Sequence, residues 1–132
     1  MAALSTATQK LVLDWLLNAA GTPTRPPGRA VGLTFGAPTS VSASEIATGS
    51  GYTRQSVLFD AAASPAGSAS NSAALTFGPF TAGCTISGIH IWDSISATVG
   101  NVLFYGPLAT ARTLGAGDSI VVAAGALITT LA

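Results

Sequence analysis

The sequence predicts a mainly β protein, an antiparallel β-sandwich or jelly-roll-like domain carrying one N-terminal α-helix. Three observations predict it. Apolar residues recur at helical spacing once, before Gly21, and at a spacing of two beyond Arg29. About eight short apolar runs follow at intervals of roughly 10 to 15 residues, most of them closed by glycine or proline. The length of 132 residues suits one domain with a single core.

The helix reads from residue 5 to residue 20. Ser5 or Thr6 can cap its first turn, and Gly21 stands where a left-handed stop belongs. Lys10, Asp14 and Asn18 form one narrow polar stripe, while Leu11, Val12, Leu13, Trp15, Leu16 and Leu17 fill the rest of the circumference. Such a helix wants cover on more than one side. We expect one face, including Trp15, to close the core of its own domain and the remainder to meet a neighbouring copy. Residues 21–29, with Pro23, Pro26 and Pro27, read as an extended linker.

Residues 30–132 read as the sandwich. Val31, Leu33 and Phe35 alternate in a first strand, and Thr53 to Phe59 form a second with Val57 and Phe59 facing inward. The Ser/Thr/Ala/Gly-rich stretches 39–51 and 61–71 read as loops. Ala73, Leu75 and Phe77 alternate up to Gly78-Pro79. Thr85 to Asp93 suits a central strand buried on both faces, or one bulged at Gly88. Val102 to Tyr105 ends at Gly106-Pro107, Leu108 to Leu114 continues as an edge segment, and Ile120 to Val122 with Ala126 to Leu131 look like a closing hairpin.

Charge is scarce: the charged residues are 8% of the chain, the net charge is zero and 48% of residues are hydrophobic. Ordinary soluble domains carry roughly 25% charged residues, so a freely diffusing copy has little to keep it from its neighbours. The five basic residues Lys10, Arg25, Arg29, Arg54 and Arg112 are scattered and balanced by five acids, which excludes a phosphate-binding footprint and makes nucleic acid an unexpected partner. The run Leu11 to Leu17 contains Asp14 and falls far short of the roughly 20 residues that span a bilayer. Met1 to Gln9 lacks the basic residues and apolar core of a secretory signal, so synthesis in a cytoplasm is expected.

Catalytic patterns are missing from the sequence. His90 is the single histidine, set between Ile89 and Ile91, and reads as structural. Cys84 is the single cysteine, which rules out an intrachain disulfide and a cysteine-based metal site. Gly49-Ser50-Gly51 has neither the strand before it nor the helix after it that a nucleophile elbow needs. We expect no enzyme activity and no cofactor. Glu45 and Arg54 flank Gly49-Ser50-Gly51-Tyr52, a turn that can fold the two charges together and fix the loop against the sandwich.

Read in order, Leu13-Asp14-Trp15-Leu16-Leu17, Val31-Gly32-Leu33-Thr34, Glu45, Gly49 to Gln55, Val57 with Phe59, Asn71-Ser72-Ala73, Gly88-Ile89, Trp92-Asp93, Asn101-Val102-Leu103, Gly106-Pro107-Leu108 and Gly115 to Asp118 resemble small tailed-phage virion structural proteins, commonly labelled tail fibre proteins. The resemblance implies a compact β fold in a virion assembled in the host cytoplasm, and supplies no active site. Within a virion, the short chain, the near-absence of charge and the lack of a long fibrous repeat favour a capsid decoration or cement protein, a symmetric cluster such as a homotrimer that clamps the major capsid protein. The alternatives are a tail-fibre or tail-tip component bound to tail proteins and, further off, a carbohydrate-binding module. Leu4, Leu11, Trp15, Leu16, Leu17, Arg25 and Arg29 are the candidate assembly contacts, with Glu45 and Arg54 as a candidate structural pair.

Overall fold

A computed structural model describes residues 3–18, 28–41, 44–62, 67–97 and 99–130. A short strand, β1 (Ala3–Leu4), leads into helix α1 (Thr6–Leu17). Ser5 caps the helix: its Oγ accepts from the Thr8 amide at 3.2 Å. The same hydroxyl donates to the Val102 carbonyl, and the Ser5 amide bonds the Leu103 carbonyl at 2.9 Å, so the cap also fastens the helix to the domain. The helix stops earlier than Ala20. Asn18 turns extended while its amide still bonds the Asp14 carbonyl, in keeping with the preference of asparagine for helix ends. Residues 19–27, which hold most of the expected linker, lie outside the described residues.

The remaining strands are β2 (Ala30–Thr34), β3 (Gln55–Ser56), β4 (Ser68–Ser70), β5 (Leu75–Phe77), β6 (Cys84–Trp92), β7 (Val102–Leu114), β8 (Ile120–Val122) and β9 (Ile128–Thr130). All pairings are antiparallel. A five-stranded sheet runs in the order β1-β7-β6-β2-β3, and two ribbons, β4-β9 and β5-β8, complete the fold. Val31, Leu33, Ile86 and Ile91 of the sheet share one core with Leu75 and Phe77 from a ribbon and with Ile46, Tyr52, Val57, Phe80 and Leu127 from the connections. Phe77 stacks on Tyr52 with ring centroids 6.2 Å apart.

Four expectations change. β2 does not alternate: every residue from Ala30 to Thr34 is buried, because the strand lies between β3 and β6 and a polar layer covers its second face. Phe35 falls past the strand end and is exposed. The stretch 61–71 is not all loop, since β4 forms there and pairs with β9. Gly106-Pro107 does not stop its strand. Both residues pair with Ile89 and Gly88 of β6, and residues 108–111 then stand opposite Ser87 before pairing resumes at Arg112. Gly88 permits this, since a Cβ there would lie 2.8 Å from the Pro38 ring and 2.9 Å from the Gly106 carbonyl.

The closing hairpin does not form either. β8 pairs with β5 and β9 with β4, because the fully buried Asn71 occupies the turn between them. Its amide nitrogen donates to the Ala73 and Ala123 carbonyls at 2.8 and 2.9 Å, and its Oδ1 accepts from the Leu127 amide at 2.8 Å. The chain is thereby steered from one ribbon to the other.

Candidate functional site

The polar layer over β2 is the most organised set of side chains in the protein. Glu45 arrives by an isolated bridge to Thr34. The chain then makes a tight turn at Thr48–Ser50 and reverses at Gly51, whose φ of 77° suits glycine. The reversal drives Tyr52 into the core and brings Arg54 back over Glu45. Arg54 Nε donates to Glu45 Oε1 at 2.8 Å and Nη2 to Oε2 at 2.7 Å, a bidentate pair with both side chains nearly excluded from solvent. The Tyr52 hydroxyl donates to Glu45 Oε1 at 2.8 Å and accepts from the Leu33 amide at 2.9 Å.

The other edge of the guanidinium holds a loop. Nη1 donates to the carbonyls of Ser94, Ser96 and Val99 at 3.1, 2.6 and 3.0 Å, and Nη2 reaches the Ala97 carbonyl at 3.4 Å. The plane lies over the Trp92 ring, 3.6 Å from its centroid, a favourable place for a desolvated cation. Gly32 makes the convergence possible: a Cβ there would come within 2.8 Å of Glu45 Oε1 and 2.9 Å of both Trp92 Nε1 and the Tyr52 hydroxyl.

Burial and the Glu45 carboxylate push the Tyr52 hydroxyl far above the ordinary phenol range, so it stays a proton donor. His90 is fully buried, with its Nε2 2.9 Å from the Thr39 carbonyl and its ring edge-on to Trp92. Burial lowers its pKa, against the smaller opposing pull of the Thr39 carbonyl and Glu45. The carbonyl requires the proton on Nε2. His90 Nδ1 and Trp92 Nε1 are buried without a hydrogen-bond partner. Burial raises the Cys84 pKa, which disfavours the reactive thiolate.

Glu45 and Arg54 neutralise each other, and the remaining donors of Arg54 face the loop carbonyls. Among the described residues no group of three or more His, Cys, Asp or Glu side chains could hold a metal ion, and no helix is long and apolar enough to cross a membrane. What the layer does is mechanical: it locks the 45–54 turn, β2, the end of β6 and the 94–99 loop together.

The candidate assembly contacts lie elsewhere. Helix α1 buries none of its residues. Leu11, Leu13, Trp15, Leu16 and Leu17 are 36, 55, 63, 61 and 79% exposed, so Trp15 does not close the core as expected. The reason is geometric: the helix is fastened at the sheet edge through Ser5 and packs mainly on β7, with Thr8, Val12 and Asp14 its half-buried positions. Leu4 is half-buried in β1 opposite Phe104. Arg29 lines an apolar cavity of about 240 Å³ together with Phe59, Ile91, Leu103 and Phe104, and its carbonyl accepts from the Val57 amide at 3.0 Å. Arg25 lies outside the described residues.

Sequence reasoning singled out Glu45, Arg54 and Tyr52 but missed Gly32, Trp92 and the carbonyls of 94–99. A signal for Gly32 existed, since glycine inside an apolar strand marks a close approach. No curated protein matches the chain. The family model described as Podophage GP4 fiber I protein gp80 matches residues 3–130. A mainly β domain with one N-terminal helix, its apolar side chains turned outward, suits that description, and the chain belongs to this family of phage fibre structural proteins.

Proposed function

We propose that the protein is a structural building block of the phage tail fibre, assembling as a symmetric homo-oligomer and contacting tail proteins rather than the major capsid protein. The family match over residues 3–130 carries this reading and favours the tail over the capsid-decoration role that the sequence first suggests. The function is mechanical and needs no cofactor. A compact domain locked by the Glu45–Arg54 layer presents outward apolar surfaces, and many weak contacts made at once give a strong attachment. A trimer is the smallest ring in which each copy touches two different neighbours.

Antibody labelling of purified particles tests the placement. Gold particles at the tail would support the fibre reading. Labelling spread over the head lattice would overturn it and restore capsid decoration.

A further inference from the structure

We infer that the cavity between the five-stranded sheet and the β4-β9 ribbon is a binding site for a small carboxylate carrying an apolar group, with Arg29 as its anion partner. The inference goes beyond the fibre reading and does not depend on where in the virion the protein sits. The cavity measures about 240 Å³. Ile91 of β6 with Leu103 and Phe104 of β7 wall it on the sheet side, Ala69 of β4 and Thr129 of β9 wall it on the ribbon side, and Phe59 completes the apolar lining. These walls are tied down. Phe59 forms an isolated bridge with Asn71, the Thr129 hydroxyl donates to the Ala69 carbonyl at 3.2 Å, and the Arg29 carbonyl accepts from the Val57 amide at 3.0 Å. The site is therefore formed before anything enters it, as ligand cavities usually are.

Charge selects the ligand. Arg29 is the one charged residue among the described residues of the lining, it is half-buried, and its guanidinium makes no ion pair or hydrogen bond with the described residues. The contrast is with Arg54, whose three nitrogens are all engaged. A free guanidinium presents a fork of donors that matches a carboxylate. One such cation balances the single charge of a carboxylate, whereas the second charge of a phosphate monoester would go unmatched. A neutral apolar ligand would leave Arg29 without a partner, and an inorganic anion would leave the aromatic and aliphatic walls in water.

Volume sets the size of the apolar group. A cavity of about 150 Å³ lined by apolar side chains takes benzene, and each further water-sized group needs roughly 30 Å³. The space here accordingly suits a phenyl ring on a two-carbon arm, or a branched chain of similar bulk, with its carboxylate at Arg29. A full-length lipid acyl chain would overfill it. Two sources supply this chemistry: a free aromatic or branched-chain acid, and the carboxyl end of a neighbouring protein chain that finishes in phenylalanine or leucine.

Nuclear magnetic resonance titration of the ¹⁵N-labelled full chain with 3-phenylpropionate tests the site. Amide shifts should concentrate at Arg29, Phe59, Ala69, Phe104 and Thr129. The acid should bind about tenfold or more tightly than neutral 3-phenylpropionamide, the worth of a charge-assisted hydrogen bond, and Arg29→Gln should erase that preference. The melting temperature of Arg29→Gln should hold, since the bond to Val57 uses the backbone carbonyl. Ala69→Leu, which fills the cavity, should abolish binding of acid and amide alike; should it fail to fold, Arg29→Gln decides alone. A blocked tripeptide ending in a free phenylalanine carboxylate separates the sources: its binding assigns the site to a chain end, and its exclusion while the acid binds assigns it to a free acid. Equal affinity for acid and amide, unchanged acid affinity in Arg29→Gln, shifts confined to another surface, or no saturable binding of either acid or peptide would each overturn the site.

Discussion

Arg54 is the residue on which most of the polar order depends. Removing it would leave the Glu45 carboxylate buried and the 94–99 carbonyls without their donor; breaking one side of a buried pair costs about 3–5 kcal/mol, set against a typical total stability of about 5–15 kcal/mol. Arg54→Ala should therefore lower the melting temperature sharply and open the 94–99 loop to protease. Arg54→Lys should recover only part of this, since an ammonium cannot serve a carboxylate and several carbonyls with one planar fork. Melts within 1 kcal/mol of wild type for both variants would show that the layer is not structural. The pair was legible because charges are so few; its reach to 94–99 was not, because backbone carbonyls leave no mark in sequence.

His90 gives a second prediction at the same scale. Its pKa is lowered in the fold by burial, with Glu45 and Arg54 as the charged groups acting on it, so below pH of about 6.5 the unfolded chain takes up the proton more readily than the folded one. Stability should be complete above that pH and decline beneath it, by at most about 1.4 kcal/mol per pH unit, until the folded histidine itself titrates. Melting curves between pH 7 and 5 read this directly. His90→Gln should flatten the decline, and an equally steep variant would place the acid sensitivity elsewhere.

At the level of elements, the helix start was readable and its end was not. Ser5 has the chemistry of a cap, whereas the competition between Asn18 and Gly21 for the stop is settled by local geometry. Ser5→Ala removes both the cap and the bond to Val102. Helical signal should fall and stability should drop by about 1 kcal/mol or slightly more, with the β signal unchanged; an unaltered melt would mean that β1 alone holds the helix. Strand existence was likewise legible from alternation, as at Leu75 and Phe77. Strand partnership was not: nothing in Ile120 to Leu131 announces that Asn71, far away in sequence, fills the turn and divides the segment between two ribbons.

For the whole molecule, scarcity of charge has a measurable effect. Contacts between copies made through outward apolar surfaces should be indifferent to sodium chloride, because there is little charge to screen, and should tighten in sulfate, which strengthens apolar burial. Sedimentation across both salts checks this. Dissociation in 1 M sodium chloride would show that ionic contacts, and not apolar surfaces, hold the copies together. Fold class could be read from composition and period; the outward helix could not, because the sequence does not say that its anchorage at the sheet edge leaves the apolar flanks uncovered.

The reach of Arg54 also bears on the order in which the chain acquires its shape. Its bonds to Ser94, Ser96 and Val99 span 40 to 45 residues, and its carboxylate partner and aromatic platform come from two further segments. The pair with Glu45 is local, only nine residues away, but the bonds to Ser94, Ser96 and Val99 cannot form until the chain has reached that loop, and closing so long a loop costs entropy before any contact repays it. The 94–99 loop should be the late-setting latch of the domain, cleavable until β2 and β6 have joined, so pulse proteolysis at that loop would time the completion of folding.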